Sequence, residues 1–142
     1  PTSHGVRMDA LVTRLGNHPI HAGLPRRWIT ADIEVYRYAR GPAEHVQVLS
    51  YAKDPLTGLH FPVEWTVQYG KGRVYTSTLG HVWPGDPNLK GIQCAVFQTL
   101  LFRSLDWLAG KTVPRTVPGD FPDWEKPSLR PLPRSLLQLF SR

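Results

Sequence analysis

The chain has 142 residues, 41% of them apolar, which is enough for one hydrophobic core and too few residues for two full domains. Its single cysteine excludes an internal disulfide, which favours the cytoplasm, and no apolar run approaches the roughly 20 residues that cross a bilayer. The formal net charge of +6 comes from basic residues scattered along the chain, so we expect neither a nucleic-acid partner nor membrane contact.

The first half of the chain is predicted to contain strands and turns. Apolar residues at positions 6, 8, 10 and 12 alternate with other residues, which predicts a first strand. His18 precedes a proline, which holds it extended. Glu34 and Tyr36 lie two positions apart, so in an extended segment they share a face and present a carboxylate beside a phenol. A further strand is predicted over residues 46–51.

A β-hairpin over residues 63–79 is the clearest pattern. Apolar residues at 63, 65, 67 and 69 alternate with polar residues at 64, 66 and 68, which predicts a strand with one buried and one polar face. Gly70-Lys71-Gly72 supplies the reversal, and residues 73–79 are again rich in β-branched and aromatic types. The second strand leads into His81, whose imidazole can act there as acid, base or ligand. The alternative is that His81 only hydrogen-bonds a neighbouring loop.

The last third begins with a predicted helix over residues 92–109. Apolar residues at 92, 96, 97, 101, 105 and 108 recur every three to four positions, which predicts one buried face, and Gly110 ends the helix. Cys94 lies near the helix N-terminus, which can lower a thiol pKa, although a core or capping role fits better because no histidine partner is identifiable. Residues 111–133 contain many prolines and should run extended over the surface, and residues 135–140 could add a short helical turn.

An ordered set of motifs resembles the ThuA-like, or trehalose-utilisation, family. The first motifs are Asn17-His18-Pro19-Ile20, Gly23-Leu24-Pro25, Glu34-Val35-Tyr36, Val46 to Leu49, Trp65, Tyr69-Gly70-Lys71-Gly72-Arg73-Val74-Tyr75 and Leu79-Gly80-His81. Downstream, the likeness continues at Cys94, Phe97-Gln98, Trp107, Gly110-Lys111, Val113 and Pro118-Gly119-Asp120-Phe121-Pro122. The resemblance covers roughly residues 4 to 125, and the ordered set is more specific than any one motif.

The resemblance implies an α/β fold of the class I glutamine amidotransferase type. This is a flavodoxin-like sheet with flanking helices, and the family generally lacks that fold's catalytic triad. Domains of the family are longer and open with βα units that are not found here, so we expect the fold to be incomplete at its N-terminus. Residues 1–112 are then the C-terminal part of a ThuA-like domain, and residues 113–142 are a proline-rich extended tail.

Five residues are candidates for a functional site. His81, Glu34 and Tyr36 are candidate catalytic residues, and His18 and Trp83 are candidate ligand-binding residues. The family usually shows two adjacent acids where this chain has Ile33 before its glutamate, which argues against a paired-carboxylate role and leaves a structural role open. The histidines lack zinc-like spacing, so we expect no metal site, and no motif indicates a cofactor.

Two functions of different classes remain open. The resemblance implies carbohydrate metabolism, with the domain acting on a sugar or keto-sugar by acid and base chemistry. Aromatic residues such as Trp65, Tyr69 and Trp83 could then stack on a sugar ring, although the first two fit a core equally well. Alternatively, the chain is a noncatalytic sugar-binding or protein-interaction module, or a remnant that needs a partner. An unpaired sheet edge would favour pairing with another chain, including a homo-oligomer.

Overall fold

The computed structural model describes residues 3–38, 41, 43–83 and 85–133. Its main strands are Met8–Arg14 (β2), Arg27–Ile33 (β3), Val46–Lys53 (β5), His60–Tyr69 (β6) and Gly72–Ser77 (β7). They form one five-stranded sheet in the order β3-β2-β5-β6-β7. A separate two-stranded ribbon pairs Ser3–His4 (β1) with Tyr36–Arg37 (β4). A single 3₁₀ turn, Pro19–His21, lies between β2 and β3.

The sheet corrects the fold prediction in part. A mixed α/β fold is present, but every strand pair in the described segments is antiparallel. Flavodoxin-like sheets are mainly parallel and need crossover helices between neighbouring strands. Here β5, β6 and β7 instead follow one another as neighbours through short loops. The specifically flavodoxin-like arrangement is therefore not confirmed.

The predicted hairpin is confirmed, but its faces are not as expected. β6 and β7 are joined by a tight turn in which Gly70 has a φ of 55°, a left-handed conformation that glycine tolerates. Glu64 and Thr66, assigned by alternation to the polar face of β6, are buried, whereas Tyr69 is exposed. The alternation fails as a guide because the buried Glu64 carboxylate has hydrogen-bonding partners inside the protein.

The predicted helix is divided at Cys94. A short helix, Lys90–Gln93 (α1), precedes a longer one, Ala95–Leu108 (α2). The backbone of Cys94 is extended, with ψ of 121°, and forms an isolated antiparallel β-bridge with Leu129. Its thiol is buried and accepts a hydrogen bond from the Ala31 amide, and burial raises the pKa of Cys94. The suggested lowering of that pKa is therefore wrong, and the core role holds.

The end of α2 was predicted correctly. Gly110 has a φ of 73°, and its amide donates to the Trp107 carbonyl. The Lys111 amide donates to the Asp106 carbonyl, which completes the hydrogen-bond pair of a Schellman cap.

The buried face of α2 differs from the predicted one. Leu101, Leu105 and Leu108 are exposed. The buried residues of α2 are Ala95, Val96, Thr99, Leu100, Arg103 and Ser104. Arg103 is buried because it donates to the backbone carbonyls of Ile20, Ala22 and Thr116. Val96 and Phe97 of the predicted face do pack in or against the core, but hydropathy cannot anticipate a buried arginine, so the apolar pattern identified only part of the buried face.

The core lies between the sheet and α2. It is centred on Trp28, Ile33 and Leu49, all fully buried. Beyond the helix, residues 113–133 pack on the domain: the Asp123 carbonyl accepts from the Ile29 amide, and Phe121 packs edge-on against Trp28. The proposed domain boundary at residue 112 stays a prediction, and the turn suggested at residues 135–140 lies outside the described residues. The helices in the described ranges are too short or too polar to span a membrane.

Candidate functional site

The structure brings the three candidate catalytic residues together. Glu34 follows β3, Tyr36 lies in β4, and His81 follows β7. The Tyr36 hydroxyl and His81 Nε2 are hydrogen-bonded at 2.9 Å, and the same nitrogen lies 3.4 Å from Glu34 Oε2. The two rings stack with centroids 5.6 Å apart and planes 19° from parallel. A carboxylate, an imidazole and a phenol therefore form one connected group.

A fourth member, His4, was missed by the sequence analysis. Its Nδ1 lies 3.4 Å from the same Glu34 oxygen and 2.9 Å from the Gly5 carbonyl oxygen. A carbonyl only accepts, so His4 Nδ1 carries the hydrogen. His4 is brought there by pairing with Tyr36 across the β1–β4 ribbon. No local signal indicates this contact, because the paired strands lie some thirty residues apart in sequence.

Local backbone geometry places Glu34 and Tyr36. Asp32 adopts a φ of 52°, and its amide donates to Asp9 Oδ1 at 3.0 Å. This left-handed residue turns the chain at the end of β3. The Gly5 amide then donates to the Val35 carbonyl at 2.9 Å, which holds the segment against β1.

Two glycines place His81. Gly80 has a φ of 80°, and a Cβ there would lie 2.5 Å from the Phe97 ring. A Cβ on Gly91, at the start of α1, would lie 2.6 Å from the His81 carbonyl oxygen. Contacts this short are not tolerated, so both positions require glycine for the loop to pack against the helices.

The group opens into a cleft of about 320 Å³. Its lining residues are Tyr36, Ser77, Thr78, Leu79, Gly80, His81 and Val82. Desolvation, followed by the nearby Glu34 charge, raises the pKa of Tyr36, so the phenol keeps its proton near neutral pH. His81 Nδ1 is buried and has no hydrogen-bond partner among the described residues. Together these groups can accept, hold and return a proton at the cleft.

Trp83 borders the same group without lining the cleft, and ligand binding by Trp83 stays a prediction. Its ring lies 6.0 Å from the His81 ring, and the Arg7 guanidinium lies 4.8 Å from its centroid. Arg7 also binds the carboxylates of Asp32 and Asp86, and these hydrogen bonds raise the pKa of Arg7. Arg7, which the sequence analysis did not identify, thus ties the segment before Glu34 to the loop after His81.

His18, the other candidate ligand-binding residue, lies elsewhere. Its Nδ1 accepts from the Ile20 amide at 3.3 Å and so caps the 3₁₀ turn, while its ring packs edge-on against Trp107. Desolvation, followed by the His21 charge, lowers the pKa of His18. Its described contacts do not include Glu34 or His81. The structure gives His18 an architectural role, and ligand binding there stays an untested prediction.

A second carboxylate cluster is sealed within the core. Glu64 has no exposed surface and accepts from Ser50 Oγ at 2.5 Å and from the Tyr75 hydroxyl at 2.6 Å. His21 Nε2 lies 3.2 Å away. Desolvation favours a raised pKa for Glu64, but the His21 charge and these three hydrogen bonds outweigh it, so the pKa is lowered.

Neither cluster is arranged as a metal centre. Among residues 3–38, 41, 43–83 and 85–133, no three His, Cys, Asp or Glu side chains are placed to hold a metal ion.

Comparison with known proteins decides the family. The family model described as ThuA, trehalose utilisation, matches residues 2–107. The chain belongs to the ThuA family. A crystal structure of a ThuA-like protein from Parabacteroides merdae shares 34% sequence identity with it and superposes with a TM-score of 0.81. That match covers 91% of this chain but 48% of the other, so the chain spans about half the length of this ThuA-like protein. No curated protein matches the chain.

Proposed function

We propose that this ThuA-family chain binds a sugar or keto-sugar in the cleft beside His81 and acts on it by acid and base chemistry. One observation carries the proposal: Glu34 and Tyr36, after β3, meet His81, after β7, within hydrogen-bonding or ion-pair distance at an open cleft. The trehalose-utilisation description of the family supports a carbohydrate ligand.

In this proposal His81 transfers the proton. Its imidazole removes a proton from a sugar hydroxyl, or from the carbon next to a keto group, and Glu34 stabilises the resulting imidazolium. Tyr36, which stays protonated near neutral pH, donates a hydrogen bond to the oxygen on which negative charge develops. Trp83, about half exposed, offers an aromatic surface to the sugar ring.

We also propose two features of the whole protein. One is the parallel, flavodoxin-like sheet implied by the family resemblance, and the other is association of the chain with a second copy of itself. Light scattering at high protein concentration tests this association. A monomeric mass throughout would contradict it.

A noncatalytic binding module is the second candidate. It is favoured by Ile33, which is fully buried where the family usually has an acid, so that Glu34 has no adjacent carboxylate partner. Such a module would bind a sugar at the same cleft without converting it.

Turnover and binding measured on the same samples separate these functions. The chain is incubated with trehalose, glucose and a keto-sugar; conversion is followed by NMR and binding by thermal unfolding. We expect His81→Ala to lower turnover at least about 100-fold and to remove ligand-induced stabilisation. His45→Asn, at an exposed imidazole that lines neither this cleft nor the other described cavities, is the control. Binding without turnover supports the module, and stabilisation unchanged in His81→Ala and Glu34→Ala contradicts both functions at this cleft.

A further inference from the structure

A larger cavity, of about 620 Å³, lies on the outer face of the five-stranded sheet. Four basic side chains line it: Arg26, Arg27, Lys53 and His60. Thr13 and Tyr51 add two hydroxyl groups. None of these residues lines the cleft beside His81, so the cavity is a separate feature of the molecule.

Strand register explains how residues distant in sequence meet there. Thr13 on β2 is paired with Arg27 on β3 and with Tyr51 on β5. Two residues along β5 from Tyr51, Lys53 is opposite His60 on β6. Paired residues point to the same face, as do residues two apart in a strand, so four strands contribute to one surface.

The cavity is positive and lacks a matching acid. Three arginines elsewhere in the described residues, Arg7, Arg37 and Arg130, form ion pairs with aspartates. In the described part of the chain, none of the four basic residues of the cavity forms an ion pair, and no Asp or Glu lines it.

The arrangement also places two basic side chains next to each other. Lys53 is directly opposite His60 across one strand pair, and no described carboxylate lines the cavity between them. The His60 ring packs against Tyr51, with centroids 5.2 Å apart and planes at 84°. An anion bound there would be within reach of both side chains.

We propose that this cavity binds the phosphate group of a phosphorylated small molecule. Guanidinium groups match phosphate oxygens with paired hydrogen bonds, and the hydroxyls of Thr13 and Tyr51 are additional donors. The volume falls in the range of about 300 to 1,000 Å³ typical of small-molecule sites. A nucleic-acid backbone would need a longer stripe of basic residues than the four that line this cavity. The proposal does not depend on the function assigned to the His81 cleft.

Calorimetric titration at constant ionic strength tests the site. The probes are inorganic phosphate, glucose 6-phosphate, glucose and sulfate. We expect saturable binding of phosphate and tighter binding of glucose 6-phosphate, while glucose stays silent. Sulfate has the same tetrahedral shape, and no carboxylate of the described residues lines the cavity to accept a phosphate proton, so sulfate should bind about as tightly as inorganic phosphate and chloride should bind much more weakly. Equal, weak effects of phosphate, sulfate and chloride would show general ionic screening and overturn the proposal.

Variants locate the binding. Arg27→Gln and Lys53→Gln should each weaken phosphate binding about tenfold, since each removes a charged hydrogen-bond donor. Lys71→Gln, in the β6–β7 turn, is the matched control and should bind as the wild type does. Unchanged affinity in both cavity variants would overturn the proposal.

Amide chemical shifts of the wild-type chain provide an independent test that no folding defect can obscure. Phosphate should shift the resonances of residues 11–13, 26–27, 51–53 and 60. Shifts confined to other segments would contradict the site. Binding of a single-stranded oligonucleotide without saturable binding of phosphate or glucose 6-phosphate would assign the surface to nucleic acid instead.

Discussion

The molecule contains two clusters of the same composition, a glutamate with histidine and tyrosine, in opposite environments. In the sealed cluster Glu64 is fully buried and receives hydrogen bonds from Ser50, Tyr75 and His21 at 2.5 to 3.4 Å. In the open cluster Glu34 has two imidazoles at 3.4 Å, and His81 and Tyr36 line a cleft.

The difference shows that residue types alone do not identify a reactive site. The Glu64 carboxylate contacts Ser50, Tyr75 and His21, and Glu64 lines none of the described cavities. We therefore assign Glu64 a role in stabilising the fold. Glu34 has looser contacts, and its neighbours Tyr36 and His81 line a cleft. Among the described residues both clusters contain an unpaired buried imidazole nitrogen, on His21 and on His81, so access and looser contacts are what make the open cluster the candidate site.

Removing the carboxylate charge should separate the two clusters most strongly. Glu64→Gln replaces a fully buried carboxylate in hydrogen-bonding contact with Ser50, Tyr75 and His21, and we expect it to lower the free energy of unfolding by about 3 kcal/mol. Glu34 is also buried, but its contacts are longer and its His4 partner is half exposed, so Glu34→Gln should cost less, about 1 kcal/mol. Urea unfolding of both variants measures this. Equal losses would contradict the distinction.

The tyrosines should differ in the same direction by smaller amounts. Tyr75→Phe removes a 2.6 Å hydrogen bond to the buried Glu64 carboxylate, which should cost about 2 kcal/mol. Tyr36→Phe, at the cleft, should cost less than about 1 kcal/mol. Thermal and urea unfolding provide the comparison. A larger loss for Tyr36→Phe would mean that the open cluster is the structural one.

Lowering the pH should reduce the free energy of unfolding, because protonation of Glu64 weakens the sealed cluster. The pKa of Glu64 is lowered in the folded state, so its stabilising effect is complete above its ordinary value of 4.5 and is lost as the pH falls below it. The Arg37 hydrogen bond lowers the pKa of Asp54 to about 2, so Asp54 contributes a similar loss at low pH. Unfolding free energies between pH 7 and pH 3 should fall less steeply in Glu64→Gln than in the wild type. Parallel curves would contradict the assignment to Glu64.

The smallest effect on stability is expected at His4. Its side chain is 54% exposed, so His4→Gln should change the unfolding free energy by less than about 0.5 kcal/mol. The same substitution alters the surroundings of Glu34 and should therefore change ligand affinity at the cleft. If His4→Gln lowered the unfolding free energy as much as Tyr75→Phe does, the open cluster would be needed for the stability of the fold.

Sequence patterns were sufficient for local features of this fold. Two-residue alternation and paired glycines located the β6–β7 hairpin, and Gly110 located the end of α2. The same patterns misjudged burial where a polar group is satisfied inside, as at Glu64 and Arg103. Such burial depends on partners distant in sequence, which periodicity does not detect.

The candidate site was predictable only in its parts. Glu34 and Tyr36 were singled out by their spacing, and His81 by its position at a strand end. Their meeting depends on how the end of β3 and the loop after β7 are held together, which Arg7 does through Asp32 and Asp86. That linkage and the contact of His4 are tertiary features without a local signature.

The most direct test of the account is an amide chemical-shift titration of the isotope-labelled chain with trehalose, glucose and a keto-sugar. It needs no variant and does not presuppose a reaction. If the open cluster is the functional site, one of these sugars should shift the resonances of residues 34–38 and 79–83 more than those of Ser50, Glu64 and Tyr75 in the sealed cluster. Saturating shifts in other segments, or no shifts with any of the three sugars, would contradict the assignment of function to this cleft.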